Sequence, residues 1–356
     1  MKEILKISIL IIVLIIPILV NARQTDYSLP ENVQLMLPSK SGITVGWVIP
    51  ADKDVKELDK ESTNFCFDVD EDGNPWFGFE KNLVVNPLKG IFLKTDQPYR
   101  DFVWLDTNDF IMCTDTELGF LAKPKETKKQ TESSMITMQF TPVIKLPYKK
   151  TRLCVGEGSI LYLIAHNPKN GNDEVYIMQE EKKKGVIKKL FTIKDRISDV
   201  TGDGQETYVA IGNLIIKLLP EQNDLEKVFI HPTKKIVNLK YSSSAGLFYT
   251  TDTGIGFIGK NSKFEFMGAP NTQIRLKDNA LFVLLDNIQG LLIIDGINKF
   301  SGLKISSEPK YEKKTQEEIK KPTEKKPVEK SIFCPNCGAK NKAGSKFCGA
   351  CGENLK

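Results

Sequence analysis

Four cysteines near the end of the chain have the spacing of a metal site. Cys334 and Cys337 form one Cys-x-x-Cys pair, Cys348 and Cys351 form a second, and ten residues separate the two pairs. Four soft thiolates suit a tetrahedral zinc ion, with Zn–S bonds of about 2.3 Å. Because a segment of about two dozen residues cannot build a core alone, metal binding would supply most of its folding free energy. The tail therefore predicts a structural zinc site with these four ligands.

The residues around these cysteines form a pattern, FCPNCGAKNKAGSKFCGACGENL, over residues 333–355. Gly338 and Gly352 each follow a pair and permit the positive φ that turns backbone N–H groups toward thiolates. Phe333 and Phe347 each precede a pair, where they can pack together behind the metal. This segment resembles the short zinc-ribbon family, common as terminal appendages of bacterial and archaeal proteins. The resemblance implies a structural or interaction module, since four protein ligands leave zinc no open position for catalysis.

The same four cysteines could form disulfides instead, depending on the redox compartment. Zinc ribbons usually occur in reducing compartments, whereas the N-terminal segment, described below, predicts export. In an oxidising compartment the four cysteines would form two disulfides instead of a zinc site. The other three, Cys66, Cys113 and Cys154, stand singly in apolar strand-like runs. We expect them to be small buried hydrophobic residues.

Two acidic segments have partial calcium-loop patterns. The segment 68–73 (DVDEDG) has the acidic spacing of an EF-hand loop, but Phe79 stands where a bidentate glutamate is required. The segment 199–204 (DVTGDG) resembles the calcium loops of FG-GAP propeller repeats, but Thr207 stands where that family has its last acidic ligand. Both segments are also typical of Asp/Gly-rich hairpin turns, and we favour that interpretation.

The histidines and tryptophans give weaker signals. His166 and His231 are the only histidines and form no Ser-His-Asp or metal pattern, so we expect satisfied surface or loop side chains. Trp47, Trp76 and Trp104 are candidates for binding aromatics at a propeller mouth. Packing between blades is the commoner role for such residues, and we favour it.

Most of the chain repeats a pattern of short β-prone runs separated by turn residues. In the segment 197–218 (ISDVTGDGQETYVAIGNLIIKL), three runs are split at Gly202-Asp203-Gly204 and at Gly212-Asn213, as in an antiparallel meander. Similar segments begin at Phe65, Asp101, Thr151, Ile236 and Thr272. A fourth apolar run follows each meander, the last being NKFSGLKI at 298–305. About six units of roughly 36–50 residues predict an all-β fold, a β-propeller of about six four-stranded antiparallel blades.

The N-terminal segment has the features of a secretory signal peptide. Lys2 and Lys6 flank the start of an uncharged apolar run from about Ile7 to Val20, and a small-residue site ends at Ala22. The run is shorter than the roughly 20 residues that span a bilayer. We expect cleavage after Ala22 and an extracytoplasmic location, periplasmic or secreted. An uncleaved segment would act as a signal anchor and would still leave the body outside the cytoplasm.

Composition divides the rest of the chain. Two proline-bounded strand candidates, at 29–38 and 42–50, would either lead into the first blade or add an outer strand to the last blade and close the ring. Polar segments at 123–134 and 167–173 are predicted surface loops. The Lys/Glu/Pro-rich segment 307–331 is a predicted disordered tether, since it has almost nothing to bury. The predicted domains are residues 1–22 (signal peptide or anchor), 23–306 (propeller-like), 307–331 (linker) and 332–356 (zinc ribbon).

Charge and motifs exclude some function classes. The net charge is +5, from 50 basic and 45 acidic residues, and the lysine runs are interleaved with glutamate. This distribution gives no large basic field, so we expect no nucleic-acid partner. The sequence contains no P-loop and no dinucleotide-binding fingerprint.

These features favour an exported, non-enzymatic binding or scaffold protein with a protein partner. The propeller would act as an interaction platform, and the zinc ribbon would be a tethered second module. One alternative is a propeller hydrolase or lyase with carboxylates such as Asp70, Asp199 or Asp252 at the central channel. Carboxylates that converge on one channel mouth would support that alternative. A second alternative is a membrane-anchored sensor domain, which requires an uncleaved N-terminal segment.

Overall fold

The computed structural model divides the chain into two compact units, Met1–Ser307 and Glu308–Lys356. The structure describes residues 29, 32–38, 41–48, 65–79, 82–86, 91–104, 110–122, 135–181, 184–285, 290–303, 331–333 and 340–342. The predicted signal segment 1–22, the loop 123–134 and the four tail cysteines lie outside these residues, as does the predicted linker up to residue 330. Within the described residues, no helix combines the length and apolar composition needed to cross a membrane.

The regular elements described in the first unit are almost all short strands. Two strands precede the repeats, β1 (Gln34–Leu35) and β2 (Thr44–Val48). The first two predicted repeats give β3 (Phe65–Val69), β4 (Pro75–Phe79), β5 (Leu83–Asn86), β6 (Ile91–Thr95), β7 (Asp101–Trp104), β8 (Phe110–Cys113), β9 (Glu117–Ala122) and β10 (Met135–Lys145). The next two give β11 (Arg152–Val155), β12 (Leu161–His166), β13 (Asp173–Glu181), β14 (Lys184–Ile193), β15 (Ile197–Gly202), β16 (Thr207–Ile211), β17 (Leu214–Leu219) and β18 (Asp224–Ile230).

The last repeats and the C-terminal unit complete the order of elements. The fifth and sixth repeats give β19 (Leu239–Ser242), β20 (Gly246–Thr250), β21 (Gly254–Ile258), β22 (Lys263–Gly268), β23 (Gln273–Lys277), β24 (Ala280–Leu284) and β25 (Leu291–Asp295). The second unit contains β26 (Ser331–Phe333) and β27 (Lys340–Lys342). Short 3₁₀ helices cover Glu157–Ser159 and Ile297–Gly302.

Turn chemistry sets many of these strand ends. The β16–β17 hairpin pairs Ile211 with Leu214, which leaves Gly212 and Asn213 as a two-residue turn. Gly212 has φ 57° and Gly73, in the β3–β4 turn, has φ 78°. Both values lie in the left-handed region, where glycine avoids the Cβ clash of other residues. The predicted meanders therefore form where the sequence places their turns.

The sheets have a propeller-like arrangement of antiparallel meanders, which confirms the all-β prediction. The described strands of the first unit form five sheets, of which three have four strands, one has five and one has eight. The eight-stranded sheet has the order β3-β4-β5-β6-β10-β9-β8-β7. It joins two predicted units because Met135–Met138 of β10 pair in parallel with β6, before Gln139–Lys145 pair with β9. The predicted count of six blades stays a prediction.

One predicted strand is wrong, and an N-terminal strand takes its place. The apolar run at 298–305 overlaps the 3₁₀ helix Ile297–Gly302 and does not pair with β25. Phe300 in this helix is fully buried, with its ring 5.0 Å from that of Phe266 and 5.2 Å from that of Phe248. Burial of this aromatic ring takes precedence over strand pairing.

The fourth strand of the last sheet is β2. It pairs antiparallel with β25, with Thr44 opposite Asp295 and Val48 opposite Leu291. The strand predicted within 42–50 thus supplies the outer strand of the last blade, which is one of the two arrangements predicted from the sequence. The other N-terminal strand, β1, adds to the edge of β22 in the fifth repeat, with Gln34 opposite Gly268. Neither strand leads into the first repeat.

Hydrophobic side chains pack between consecutive repeats. Six buried clusters occur among the described residues, and each lies mainly between two neighbouring meanders. Phe67 and Phe77 of the first repeat pack against Phe282 and Ile293 of the last. The core is therefore distributed around a ring, and the first and last repeats are in contact.

Candidate functional site

The first strands of consecutive repeats surround a central channel. Their contacts follow a closed order, β3 to β7, β11, β15, β19, β23 and back to β3. A cavity of about 280 Å³ lies where these strands begin and is lined by residues from all of them. A second cavity of about 200 Å³ lies where they end. We call these two sides the entrance face and the exit face.

Three aspartates from different repeats lie in the channel wall. Asp68 and Asp199 are buried, and Asp101 is partly buried. Burial raises the pKa of Asp101 to about 6, although Arg275 opposes the rise. Burial also raises the pKa of Asp68, opposed by Arg275 and by a hydrogen bond from a backbone N–H. Desolvation disfavours the charged carboxylates, and the nearby cation favours them.

Two of these carboxylates link neighbouring strands. Asp68 Oδ2 accepts the backbone N–H of Trp104 at 2.7 Å. Asp199 Oδ1 accepts the N–H of Val200 at 2.9 Å, and its Oδ2 accepts the N–H of Leu239 at 2.8 Å. The bonds from Trp104 and Leu239 cross from β3 to β7 and from β15 to β19. The carboxylates thus satisfy backbone donors that face the channel.

Cations from two other repeats face these aspartates. Lys240 is buried and its Nζ lies 3.3 Å from Asp199 Oδ2. Arg275 Nε lies 3.6 Å from Asp68 Oδ1, and its guanidinium lies 5.1 Å from the centre of the Phe67 ring. The channel therefore contains paired charges of both signs, as buried ions require.

Two of the predicted buried cysteines line the entrance cavity. Cys66 and Cys154 are buried and free, and Cys113 is also buried. Burial raises the pKa of Cys66 well above its ordinary value and that of Cys154 to about 12. Burial raises the pKa of Cys113 as well. All three are therefore neutral thiols at pH 7, which suits small apolar core residues.

The two segments with partial calcium-loop patterns are hairpin turns, the interpretation that we favoured. Asp70 Oδ1 accepts the N–H groups of Asp72 at 3.1 Å and Asn74 at 2.8 Å, and its Oδ2 accepts Trp76 Nε1–H at 3.0 Å. Asp203 Oδ1 accepts the backbone N–H of Glu206 at 2.7 Å. These are Asx-type turns, in which N–H donors occupy the carboxylate oxygens. Among the described residues, no group of three or more His, Cys, Asp and Glu is placed to hold a metal ion.

The histidines are hydrogen-bonded in separate repeats. His166 Nδ1 lies 2.9 Å from Asp173 Oδ1 on the entrance face. His231 lies in the loop after β18, one of the two expected locations, and is buried there, with its Nε2 3.0 Å from Glu265 Oε1. His231 Nδ1 accepts the backbone N–H of Lys234 at 2.9 Å, so its Nε2 carries the proton and donates to Glu265.

Trp76 and Trp104 pack between the first two repeats, the role favoured for the tryptophans. Trp76 is buried and its ring lies 5.2 Å from that of Trp104 and 5.4 Å from that of Phe110, between the first two repeats. Trp104 also lines the exit cavity. The side chain of Trp47 lies outside the part of the chain whose side chains are described.

Only one of the three aspartates suggested for a catalytic channel lies there. Asp199 is in the wall, whereas Asp70 is in a hairpin turn and Asp252 is exposed. Sequence reasoning missed Asp68 and Asp101 as channel residues. The available signal was a charged side chain within an apolar strand run, repeated once per unit, as in FCFDV at β3 and QIRLK at β23.

The C-terminal unit has the backbone expected around a Cys-x-x-Cys turn. Strands β26 and β27 pair antiparallel, with Phe333 opposite Lys340, so residues 334–339 connect paired strands. That connection carries Cys334 and Cys337, and Cys348 and Cys351 follow β27. Four cysteines are the donor set that zinc prefers. Their side chains lie outside the described residues.

Comparison with known families supports the interpretation of the tail as a zinc ribbon. Residues 333–355 match the model of the zinc-ribbon domain. The predicted resemblance of the tail to a zinc ribbon is therefore confirmed. No curated protein matches the chain.

Several solved structures resemble the first unit at low identity. Virginiamycin B lyase from Staphylococcus aureus is 16% identical with a TM-score of 0.43, over 65% of this chain and 79% of that chain. The gluconolactonase XC5397 from Xanthomonas campestris is 10% identical with a TM-score of 0.48, over 76% and 95%. An extracellular domain of BT4673 from B. thetaiotaomicron is 9% identical with a TM-score of 0.41, over 64% and 33%. No function follows from likenesses at this level.

Proposed function

We propose that this chain is a non-enzymatic binding protein that acts outside the cytoplasm. A six-bladed propeller would serve as an interaction platform for a protein partner, and a structural zinc ribbon would be a second module on a disordered tether. The observation that carries the proposal is the use of the channel carboxylates. Asp68 and Asp199 bind backbone N–H groups of neighbouring repeats, so they hold strands together and are not available as general bases.

Three features support a count of six blades. The eight-stranded sheet contains two antiparallel meanders, β3–β6 and β7–β10, joined only at their outer strands. The first strands of six meanders contact one another in a closed order. The buried clusters lie at the six boundaries between meanders. With β2 as its outer strand, the last meander also has four strands.

The ribbon would contribute binding through proximity. Zinc, when bound by Cys334, Cys337, Cys348 and Cys351, would stabilise the fold of the segment. A tether that holds the ribbon near the propeller raises its effective concentration at a second site on the same partner. This proposal includes residues 307–331 as the linker between the two domains. It also includes a location outside the cytoplasm.

A propeller hydrolase or lyase is the second candidate, and Asp101 is the observation that favours it. Its pKa is raised to about 6, and it lies in the entrance cavity beside Lys240 and Arg275. A carboxyl that titrates near neutral pH can transfer protons as a general acid or base. A catalytic role would require a substrate in the 280 Å³ cavity.

Two experiments separate the candidates. The purified full chain is incubated at pH 6–8 with chromogenic esters, lactones and acidic oligosaccharides, beside the Asp101→Asn variant. We expect no turnover above buffer for either protein. Turnover that Asp101→Asn abolishes would overturn the binding proposal in favour of catalysis.

The platform itself is tested by site-specific photo-crosslinking in the native compartment. A photoreactive residue is placed at Lys150 on the entrance face or at Ser159 on the exit face, with Leu225 on an outer strand as the control. We expect a discrete protein adduct from one channel face and none from Leu225. Equal labelling from all three positions, or no adduct from either face, would contradict an interaction platform.

A further inference from the structure

A large pocket lies on the entrance face beside the channel. It has a volume of about 660 Å³, within the range of small-ligand pockets. The segment before β11, the end of β12 and the start of β15 form its walls. Four apolar side chains contribute to these walls: Tyr148, Ile164, Pro168 and Ile197.

Cations surround this apolar wall. Lys149, Lys150, Arg152 and Arg196 all line the pocket and are exposed. The one lining carboxylate, Asp173, is buried. The pocket therefore combines an apolar body with a net positive rim.

The protein already holds the two guanidinium groups in place. Arg152 Nη1 donates to the carbonyl of Ser198 at 2.7 Å, and its Nη2 donates to the carbonyl of Ile197. Arg196 Nη1 donates to Asp173 Oδ1 at 2.9 Å. Each guanidinium has five N–H donors, so both retain donors after these bonds. A guanidinium fixed in this way loses less entropy when it binds a carboxylate.

Asp173 does not compete for those remaining donors. Its Oδ1 also binds His166 Nδ1 at 2.9 Å, and its Oδ2 accepts the backbone N–H of Ile197 at 2.9 Å. The carboxylate is thus committed to positioning the pocket wall. An incoming anion would meet cations on the rim.

We infer that this pocket binds a small organic anion, a carboxylate attached to an apolar body. Arg152 and Arg196 would bind the carboxylate, and the wall with Tyr148 and Ile164 would cover the apolar part. Charge complementarity favours the anion, and the apolar wall favours a hydrophobic ligand over inorganic phosphate. Such a site would exist whether or not the propeller also docks a protein.

Calorimetric titration of the full chain with 4-phenylbutyrate tests the inference. We expect saturable binding with a Kd at or below the millimolar range. Acetate and inorganic phosphate, which lack the apolar body, and 4-phenylbutanol, which lacks the charge, should bind at least 10-fold more weakly. Equal binding of any of the three, or no saturable heat with 4-phenylbutyrate, would overturn the inference.

Variants locate the site. Arg152→Gln should weaken 4-phenylbutyrate binding at least 10-fold, and Lys149→Gln with Lys150→Gln should weaken it about 3-fold. The double lysine variant should fold normally, because both lysines are exposed and neither takes part in the hydrogen bonds to Asp173. A weaker Kd in this variant would therefore report a change in binding. Arg100→Gln is the matched control, since Arg100 lines the channel cavity but not this pocket, and its Kd should stay within twofold. An effect of Arg100→Gln equal to that of Arg152→Gln, with both proteins folded, would contradict this location.

Discussion

The Asp199 carboxylate joins two sheets by accepting the backbone N–H of Leu239, the first residue of β19, at 2.8 Å. The same oxygen lies 3.3 Å from the Lys240 ammonium, and both side chains are less than a tenth exposed. A single carboxylate therefore satisfies a backbone donor and a buried cation from the neighbouring repeat. Removal of such a partner leaves the remaining groups buried without compensation.

We predict that Asp199→Ala lowers the free energy of unfolding by about 3–5 kcal/mol, because it leaves Lys240 as an unpaired buried cation. Urea denaturation of the full chain measures the change. Asp199→Ala combined with Lys240→Met should recover part of the loss. The matched control is Asp115→Ala, which removes an exposed pair with Arg100 and should cost less than about 1 kcal/mol. Equal losses for the two single variants would show that the channel pair is not a structural link.

The Asp101 carboxyl should make the free energy of unfolding depend on pH. Its folded-state pKa is about 6, above the ordinary value near 4, so the folded state holds the proton more tightly than the unfolded state. Stability from this group is therefore present below about pH 4, falls as the pH rises to about 6 and stays low above that. We expect Asp101→Asn, which mimics the protonated form, to be more stable than the parent at pH 7.5.

Thermal denaturation at pH 4 and pH 7.5 tests this prediction. The advantage of Asp101→Asn should shrink or vanish at pH 4, where the parent carboxyl is also neutral. An advantage that is the same at both pH values would reject a raised pKa as its cause. Asp115→Asn is the control, because Arg100 holds the pKa of that exposed carboxyl below its ordinary value.

The seven cysteines should react with a thiol reagent in two stages. In the native zinc-bound chain, we expect almost no reaction, because the tail cysteines bind zinc and Cys66, Cys113 and Cys154 are buried thiols. Chelation should release about one zinc and expose four thiols. Denaturation should expose the remaining three. Absence of zinc together with only three thiols after denaturation would instead indicate two disulfides in the tail.

Because β2 supplies the outer strand of the last sheet, a proline in the middle of β2 should lower the stability of the protein. Gly46 lies opposite Ile293 in the middle of β2. We expect Gly46→Pro to lower the free energy of unfolding by about 1–3 kcal/mol, because the proline ring fixes φ at about −65°, far from the extended φ of an antiparallel strand. Gly46→Ala is the control and should change stability by less than about 1 kcal/mol. Identical urea midpoints for the two variants would argue against closure through β2.

Local residue patterns were sufficient to predict the short strands and turns. Turn residues such as Gly212 and Gly73 mark strand ends because backbone conformation at those positions depends on the residue in place. The repeat of short apolar runs therefore predicted the meanders and their order. The tail motif predicted its zinc ribbon for a similar reason, since metal-ligand spacing is a property of adjacent residues.

Other features depend on residues far apart in the chain, and they became visible only in the folded structure. The run at 298–305 is as apolar as a strand, but Phe300 packs among Phe248 and Phe266 and the segment forms a 3₁₀ helix. Pairing of β10 with β6 merged two repeats into one sheet. The charges in the channel likewise come from separate repeats, and only the packing of neighbouring repeats places Asp199 against Lys240. Spacing along the chain encodes turns and metal ligands, whereas packing, edge pairing and buried charge depend on which distant surfaces meet.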